Sequence, residues 1–195
     1  MRGENFAPLR LEGKHVILDE ISPKYFHYVI EWRNNPTLNR YLNQPFKLTM
    51  ELEKKWYEEV YLKDATQDFF IMVDKKTGTP FATIGNTDID LKNKVCINGR
   101  LLLGNSAYAQ HPAFWEGYFL QADYTYEFVE IEYIHVVYEN KKAMKFDRLF
   151  GFVPNEGEIK YPHKLLVNGM RQQELYRTKE MYLKVREKLF RSMIS

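Results

Sequence analysis

Tyr133-Ile-His-Val-Val-Tyr138 runs directly into Glu139-Asn140-Lys-Lys-Ala143-Met-Lys-Phe146-Asp147-Arg-Leu149-Phe-Gly151-Phe152, and the reading of this stretch decides the fold. Its first part is apolar and β-branched, the composition of a buried strand. Asn140 stands where a helix N-cap belongs, because a short polar side chain there satisfies a backbone N–H that the first turn leaves unpaired. Ala143, Phe146 and Leu149 fall on one helical face. Gly151 then offers the left-handed residue that stops the helix before Phe152 begins the next strand. A strand turning sharply into a capped helix predicts an α/β chain.

Upstream, Val16-Ile-Leu18 reads as a first strand, and Ser22-Pro23 opens a helix to about residue 34 with Phe26, Val29, Ile30 and Trp32 on its apolar side. Asn34-Asn35-Pro36 breaks it, and a short helical turn is expected over residues 38–41. Thr49 caps a second helix to about residue 62, whose inward face is predicted to carry Leu52, Trp56 and Val60. Strands over 67–73 and 80–89 flank the turn Lys75-Lys-Thr-Gly78, and a strand over 95–103 follows the polar turn 90–94. A helix over about 117–129 leads to the strand 132–138 and the Asn140 helix. Strands around 150–153 and 164–167, an Asn168-Gly169 hairpin turn, a return strand 170–176 and a helix over 178–190 complete the order.

The 195 residues suit a single domain, 1–195, and 45% hydrophobic with 15% aromatic residues implies a globular chain. The net charge of +2, from 28 basic and 26 acidic residues without a basic run, predicts no nucleic-acid or anionic-membrane partner. Cys96 is the only cysteine, which rules out an intrachain disulfide, and its apolar surroundings suggest an inert core thiol. No apolar run is long enough to span a bilayer and the N-terminus carries no secretory pattern, so a cytoplasmic location is expected.

The order Asn-x-x-Ala, an apolar residue three further on, then Gly-Phe, resembles the C-terminal signature of the GNAT-type N-acyltransferases. Glu31-Trp-Arg-Asn-Asn-Pro36, Thr83-Ile-Gly85 and Arg100-Leu-Leu-Leu-Gly104 resemble the branch that acylates ribosomal proteins and nucleotide amino sugars. The resemblance implies an α/β fold of the α+β type over the whole chain. Its central sheet is mixed and mostly antiparallel, with splayed fourth and fifth strands and helices on both faces. It also implies acyl-CoA as co-substrate, with no metal.

In this family a helix start holds the CoA pyrophosphate through free backbone amides. The usual Gln/Arg-x-x-Gly-x-Gly/Ala pattern is matched here at Gly117, while Trp115 and Phe119 occupy the companion positions. Trp115, Glu116, Gly117, Tyr118 and Phe119 are therefore expected to face the phosphates through their backbone. Leu101, Leu102 and Leu103 would pair with the pantetheine arm as a pseudo-strand, with Asn140, Ala143 and Phe146 beside it. The N–H of Leu102 would stabilise the oxyanion. Asp147 stands where the family carries a Tyr that protonates the leaving thiolate. An ionised Asp, with an ordinary pKa of about 3.9, has no proton to give at neutral pH. Asp147 is accordingly expected to be a solvated helix residue, and catalysis to rest on positioning.

Asp88, His135 and Glu139 lie where a water-relayed base could stand, and each reads equally well as structural. For the acceptor, the resemblance points to Trp32, Arg33, Asn34, Tyr41, Asn86, Asn98 and Arg100. It implies transfer of an acetyl or a somewhat larger acyl, such as hydroxybutanoyl, to the amine of a nucleotide-linked amino sugar for surface polysaccharide such as lipopolysaccharide. Acylation of a protein N-terminus or a polyamine, and a non-catalytic module of the same fold, are the alternatives. A homodimer stays open.

Overall fold

The computed structural model describes residues 9–162, 166–167 and 169–194. A hairpin of β1 (Arg10–Glu12) and β2 (Val16–Glu20) comes first. The 3-10 turn Pro23–Tyr25 leads into α1 (Phe26–Asn34), and the turn Asn39–Tyr41 leads to α2 (Met50–Glu59). The strands β3 (Phe70–Asp74), β4 (Pro80–Asp90) and β5 (Val95–Leu103) precede α3 (Pro112–Thr125). Then come β6 (Ile131–Val137), α4 (Lys141–Leu149), β7 (Val153–Pro154), β8 (Leu166–Val167), β9 (Met170–Thr178) and α5 (Lys179–Ile194).

One sheet runs β1-β2-β3-β4-β5-β6-β9-β7, with β8 paired to β9. Every pairing is antiparallel except β5 with β6. That parallel contact is short. It covers Val95 to Ile97 against Ile131 to Tyr133, after which β5 continues only with β4 and β6 only with β9. The strands expected as fourth and fifth therefore splay apart. They are β5 and β6 here, because β1 is a strand that the short polar Arg10-Leu-Glu12 did not announce.

A bulge starts the splay. Thr83 faces Leu102 but Gly85 faces Gly99, so two residues of β5, Arg100 and Leu101, stand opposite Ile84 alone, and Arg100 takes a φ of +54°. Such a bulge bends its strand and increases local twist.

The helices cover both faces. On one side α1 and α2 enclose Ile21, Phe26, Val29, Tyr61, Phe69 and Ile71. On the other, α3 and α5 pack on Val16, Leu18, Phe70, Met72 and Phe81, with Cys96 fully buried among them. Met144 of α4 joins Val136, Phe152 and Leu175.

Several expectations about elements are corrected. Leu52 and Val60 of the α2 segment are 42% and 46% exposed, whereas Glu53 is 2% exposed. The buried face is rotated by one residue because Trp56 and the ring of Tyr61 already fill the space over Phe69. The expected strand 150–153 is mostly the end of α4: Gly151 has a φ of +92°, its N–H donates to the Arg148 carbonyl, and the Phe152 N–H donates to the Asp147 carbonyl. This double closure satisfies carbonyls that the last helical turn leaves free. Residues 164, 165 and 168 of the expected hairpin lie outside the described residues; Val167 pairs with Met170 and Gly169 has a φ of +75°.

Candidate active site

The splay between β5 and β6 leaves the inner edge of β5 beyond Ile97 without a strand partner among the described residues. The three leucines Leu101 to Leu103 lie on this edge, Leu102 and Leu103 paired on the other side with Thr83 and Ala82. At the end of the strand the indole of Trp32 packs on Gly104, where an added Cβ would stand 2.0 Å from a ring atom. Across the gap, the Tyr41 hydroxyl donates to the Glu139 carbonyl at 3.5 Å. The last turn of α1 and the turn that follows it thus touch the ends of both separated strands.

Other expected acceptor residues have different placements. Asn34 is a staple: its Nδ2 donates to the Leu48 carbonyl and its Oδ1 accepts the Leu48 N–H, each at 2.8 Å. Asn86 and Asn98 are buried on the α3 side. Asn86 Nδ2 donates to Asp68 and Thr125, and Asn98 Nδ2 donates to Gln121 and Glu132. Burial obliges them to be bonded, so neither reaches the α1–α2 face. Arg33 and Arg100 do. Arg33 Nε donates to Gln44 Oε1 at 2.6 Å, while the Arg100 guanidinium bonds Gln67 and the Asp68 carbonyl and lies over the rings of Phe69 and Trp56.

Within the electrostatic reach of both arginines is Glu53, which the sequence reading passed over. Its Oε1 is buried without a hydrogen-bond partner among the described residues. It lines a cavity of about 370 Å³ with Arg33, Leu48, Leu52 and Trp56. Burial pushes its carboxyl up to about 7, against the opposing pull of Arg33 and Arg100. The only sequence signal was a glutamate placed beside Trp56's helical face.

The helix start expected to hold the phosphates is also shifted. α3 begins at Pro112, with the His111 Nδ1 accepting the Ala113 N–H at 3.2 Å and the His111 carbonyl accepting the Phe114 N–H at 3.0 Å. Proline at the first helical position has no N–H to offer. Gly117, Tyr118 and Phe119 consequently lie inside the helix, where their amides are committed to its own ladder. Gly117 is small for packing: a Cβ there would come 3.0 Å from Met72 Sδ. Glu116 accepts backbone N–H groups of Lys14, His15 and Val16 at 2.7, 2.5 and 3.1 Å, tying α3 to the β1–β2 turn. Trp115 stacks on Phe146 of α4 with ring centres 6.0 Å apart.

On α4, Asn140 Oδ1 accepts the Ala143 N–H at 3.1 Å, the cap expected from sequence. Asp147 departs from expectation. It is 4% exposed rather than solvated, and burial pushes its carboxyl up to about 7 against the attraction of Arg177. The Arg177 guanidinium is wholly buried, donating to Glu132, Tyr126 and the Phe150 carbonyl. Tyr118, whose hydroxyl has no partner among the described residues, packs against Phe150 in the same region. Of the three base candidates, His135 lies 3.0 Å from the buried Glu174, Glu139 meets Tyr41 through its carbonyl, and Asp88 takes a φ of +52° on β4.

No protein-family model and no curated protein sequence matches the chain. Solved structures do match. A spermidine N-acetyltransferase from Vibrio cholerae, in complex with CoA and spermine, is 16% identical; the match covers 88% of this chain and 99% of that one, with a TM-score of 0.71. FdhC, a nucleotide-linked sugar GNAT, is 16% identical over 96% of this chain and 99% of its own, with a TM-score of 0.74. A GCN5-related N-acetyltransferase from Brucella melitensis is 18% identical, covering 98% and 90%, also at 0.74. The chain has the GNAT fold. No helix among the described residues is long and apolar enough to cross a membrane.

Proposed function

We propose that this chain is an acyl-CoA-dependent N-acyltransferase whose acceptor is the amine of a nucleotide-linked amino sugar. The observation that carries this reading is the parting of β5 from β6 after Ile97, which leaves a strand edge free to pair with a pantetheine arm. Two solved structures of the same fold, a CoA-bound spermidine enzyme and a nucleotide-linked sugar enzyme, support the reaction class, and the second supports the acceptor.

The residues fit the arm better than the phosphates. Leu101 to Leu103 present backbone groups along the gap, and Asn140 orders the start of α4 beside it. The first amides of α3 are already bonded, so the phosphates would rely on the exposed Lys141 and Lys142 at the start of α4. Bound acyl-CoA supplies an activated acyl carbon. The Leu102 N–H would steady the negative charge that develops on its carbonyl oxygen. Asp147, with a carboxyl held near 7, would give a proton to the departing sulfur.

A second reading has its own observation. The bonded start of α3, together with the Trp115–Phe146 stack beside it, suits a GNAT-fold module that binds a partner without acyl-CoA. A mass-spectrometric screen of acetyl- and hydroxybutanoyl-CoA against nucleotide-linked amino sugars, spermidine and peptides tests both. Acylated sugar supports the proposal; acylated spermidine or peptide moves the acceptor assignment; no product and no heat on acyl-CoA titration favours the module.

A further inference from the structure

A glycine inside a β-strand weakens it and packs nothing, so its presence calls for a reason. The strands among the described residues hold two, Gly85 on β4 and Gly99 on β5, and these face each other. Gly85 has its reason in the chain: a Cβ there would stand 2.3 Å from the Asp68 carbonyl oxygen. Gly99 has none. Its φ lies outside the left-handed region, and a Cβ built on it meets no atom within 4 Å, although the residue is half-buried.

The position of this open space ties it to the parted strands. Gly99 stands two residues past Ile97, the last residue of β5 paired with β6, and directly before Arg100, where the bulge begins. Asn98 and Glu132 bond each other on the α3 side, so Gly99 on β5 and Tyr133 and His135 on β6 look to the opposite face. On that face the Asp68 carbonyl over Gly85, with the Arg100 guanidinium bonded to it, stands on the β4 side. On the β6 side the Tyr161 ring lies edge-on to Tyr133 and His135, at 5.6 and 6.0 Å. The phosphates of the donor belong at the open end of the parting, beside Lys141 and Lys142, so its acyl group points to the closed end at Ile97 and Tyr133. Gly99 lies on that line. Leu102 faces Thr83 and Gly99 faces Gly85, which puts about 7 Å of strand between the oxyanion donor and the open space. Keeping a contact distance of about 3.5 Å leaves room for an acyl chain longer than acetyl.

We propose that Gly99 sets the length of the acyl group this chain accepts, and that its open space takes the tail of a butanoyl-like acyl, unbranched and longer than acetyl. The inference rests on the acyltransferase reading above and names its donor. Each methylene taken out of water favours binding about fourfold, so the two that butanoyl adds to acetyl are worth about fifteenfold when fully covered.

The test is calorimetric titration of wild type, Gly99→Ala and Gly99→Val with acetyl-CoA and butanoyl-CoA, which requires no acceptor. A strand accepts valine readily, and circular dichroism checks that both variants fold; alanine carries the test alone if valine does not. Wild type should bind butanoyl-CoA about tenfold more tightly than acetyl-CoA. Gly99→Ala should narrow this preference and Gly99→Val abolish it, through weaker butanoyl-CoA binding, with acetyl-CoA affinity within about twofold of wild type. A wild type that binds both donors equally, or variants that keep the wild-type preference or weaken both donors alike, overturn the role of Gly99 and leave the acyltransferase reading standing. A wild type that binds neither donor overturns both.

Discussion

Trp32 and Gly104 are fitted to each other: the indole occupies the space where any side chain at position 104 would begin, 2.0 Å from a Cβ built there. The contact joins the last turn of α1 to the end of β5, so it sets how α1 sits over the separated strands.

Gly104→Ala should therefore displace Trp32, which is only 5% exposed. Overpacking of this kind costs about 1–3 kcal/mol. Urea unfolding should report a loss in that range. In transfer assays the KM for the amine should rise while the affinity for acyl-CoA changes little, because α4 and the β6 edge are untouched.

The two buried acids make stability pH-dependent. Burial raises Glu53 to about 7 from 4.5 and Asp147 to about 7 from 3.8. Each binds its proton more tightly in the folded chain. The stability they lend is fully present below their unfolded values, near pH 4, and is lost as pH rises through 7. For Glu53 the gap corresponds to about 3 kcal/mol, with a similar or slightly larger figure for Asp147. Unfolding measured from pH 4 to pH 8.5 should show Glu53→Gln and Asp147→Asn gaining on wild type as pH increases, with little difference at pH 4. Parallel curves across that range would contradict the burial of both carboxyls.

Asp147→Asn should also slow acyl transfer by about a hundredfold at pH 7 with unchanged acyl-CoA affinity, since a carboxyl near 7 is half-protonated and an amide cannot replace it. The sequence alone pointed the other way. An exposed aspartate would have made the loss less than about tenfold, and a loss that small would return Asp147 to a structural role.

The contrast at Asp147 shows where the sequence stopped being readable. Strand and turn order followed from local chemistry, as did the Asn140 cap and the Gly151 stop, because periodicity and backbone preference act over a few residues. Burial of polar side chains depends on partners far away in the chain. Asn86 and Asn98 were expected among the acceptor residues, yet Gln121, Thr125 and Glu132 enclose them. Glu116 read as a phosphate-facing position, yet the turn at Lys14 to Val16 claims its carboxylate. The start of α3 was legible in principle, since Pro112 is a helix-opening signal; the expected glycine pattern drew the boundary to Gly117 instead. Glu53 was hidden by the amphipathic pattern itself, because Leu52 looked like the inward residue.

The central claim, that the arm of acyl-CoA lies between β5 and β6, is tested most directly by amide hydrogen exchange with and without saturating acetyl-CoA. Exchange should slow at residues 99–103 and 134–137, the edges that have parted, and stay unchanged in β1 to β3. Binding heat with no protection at those edges, or no heat at all, would contradict the account.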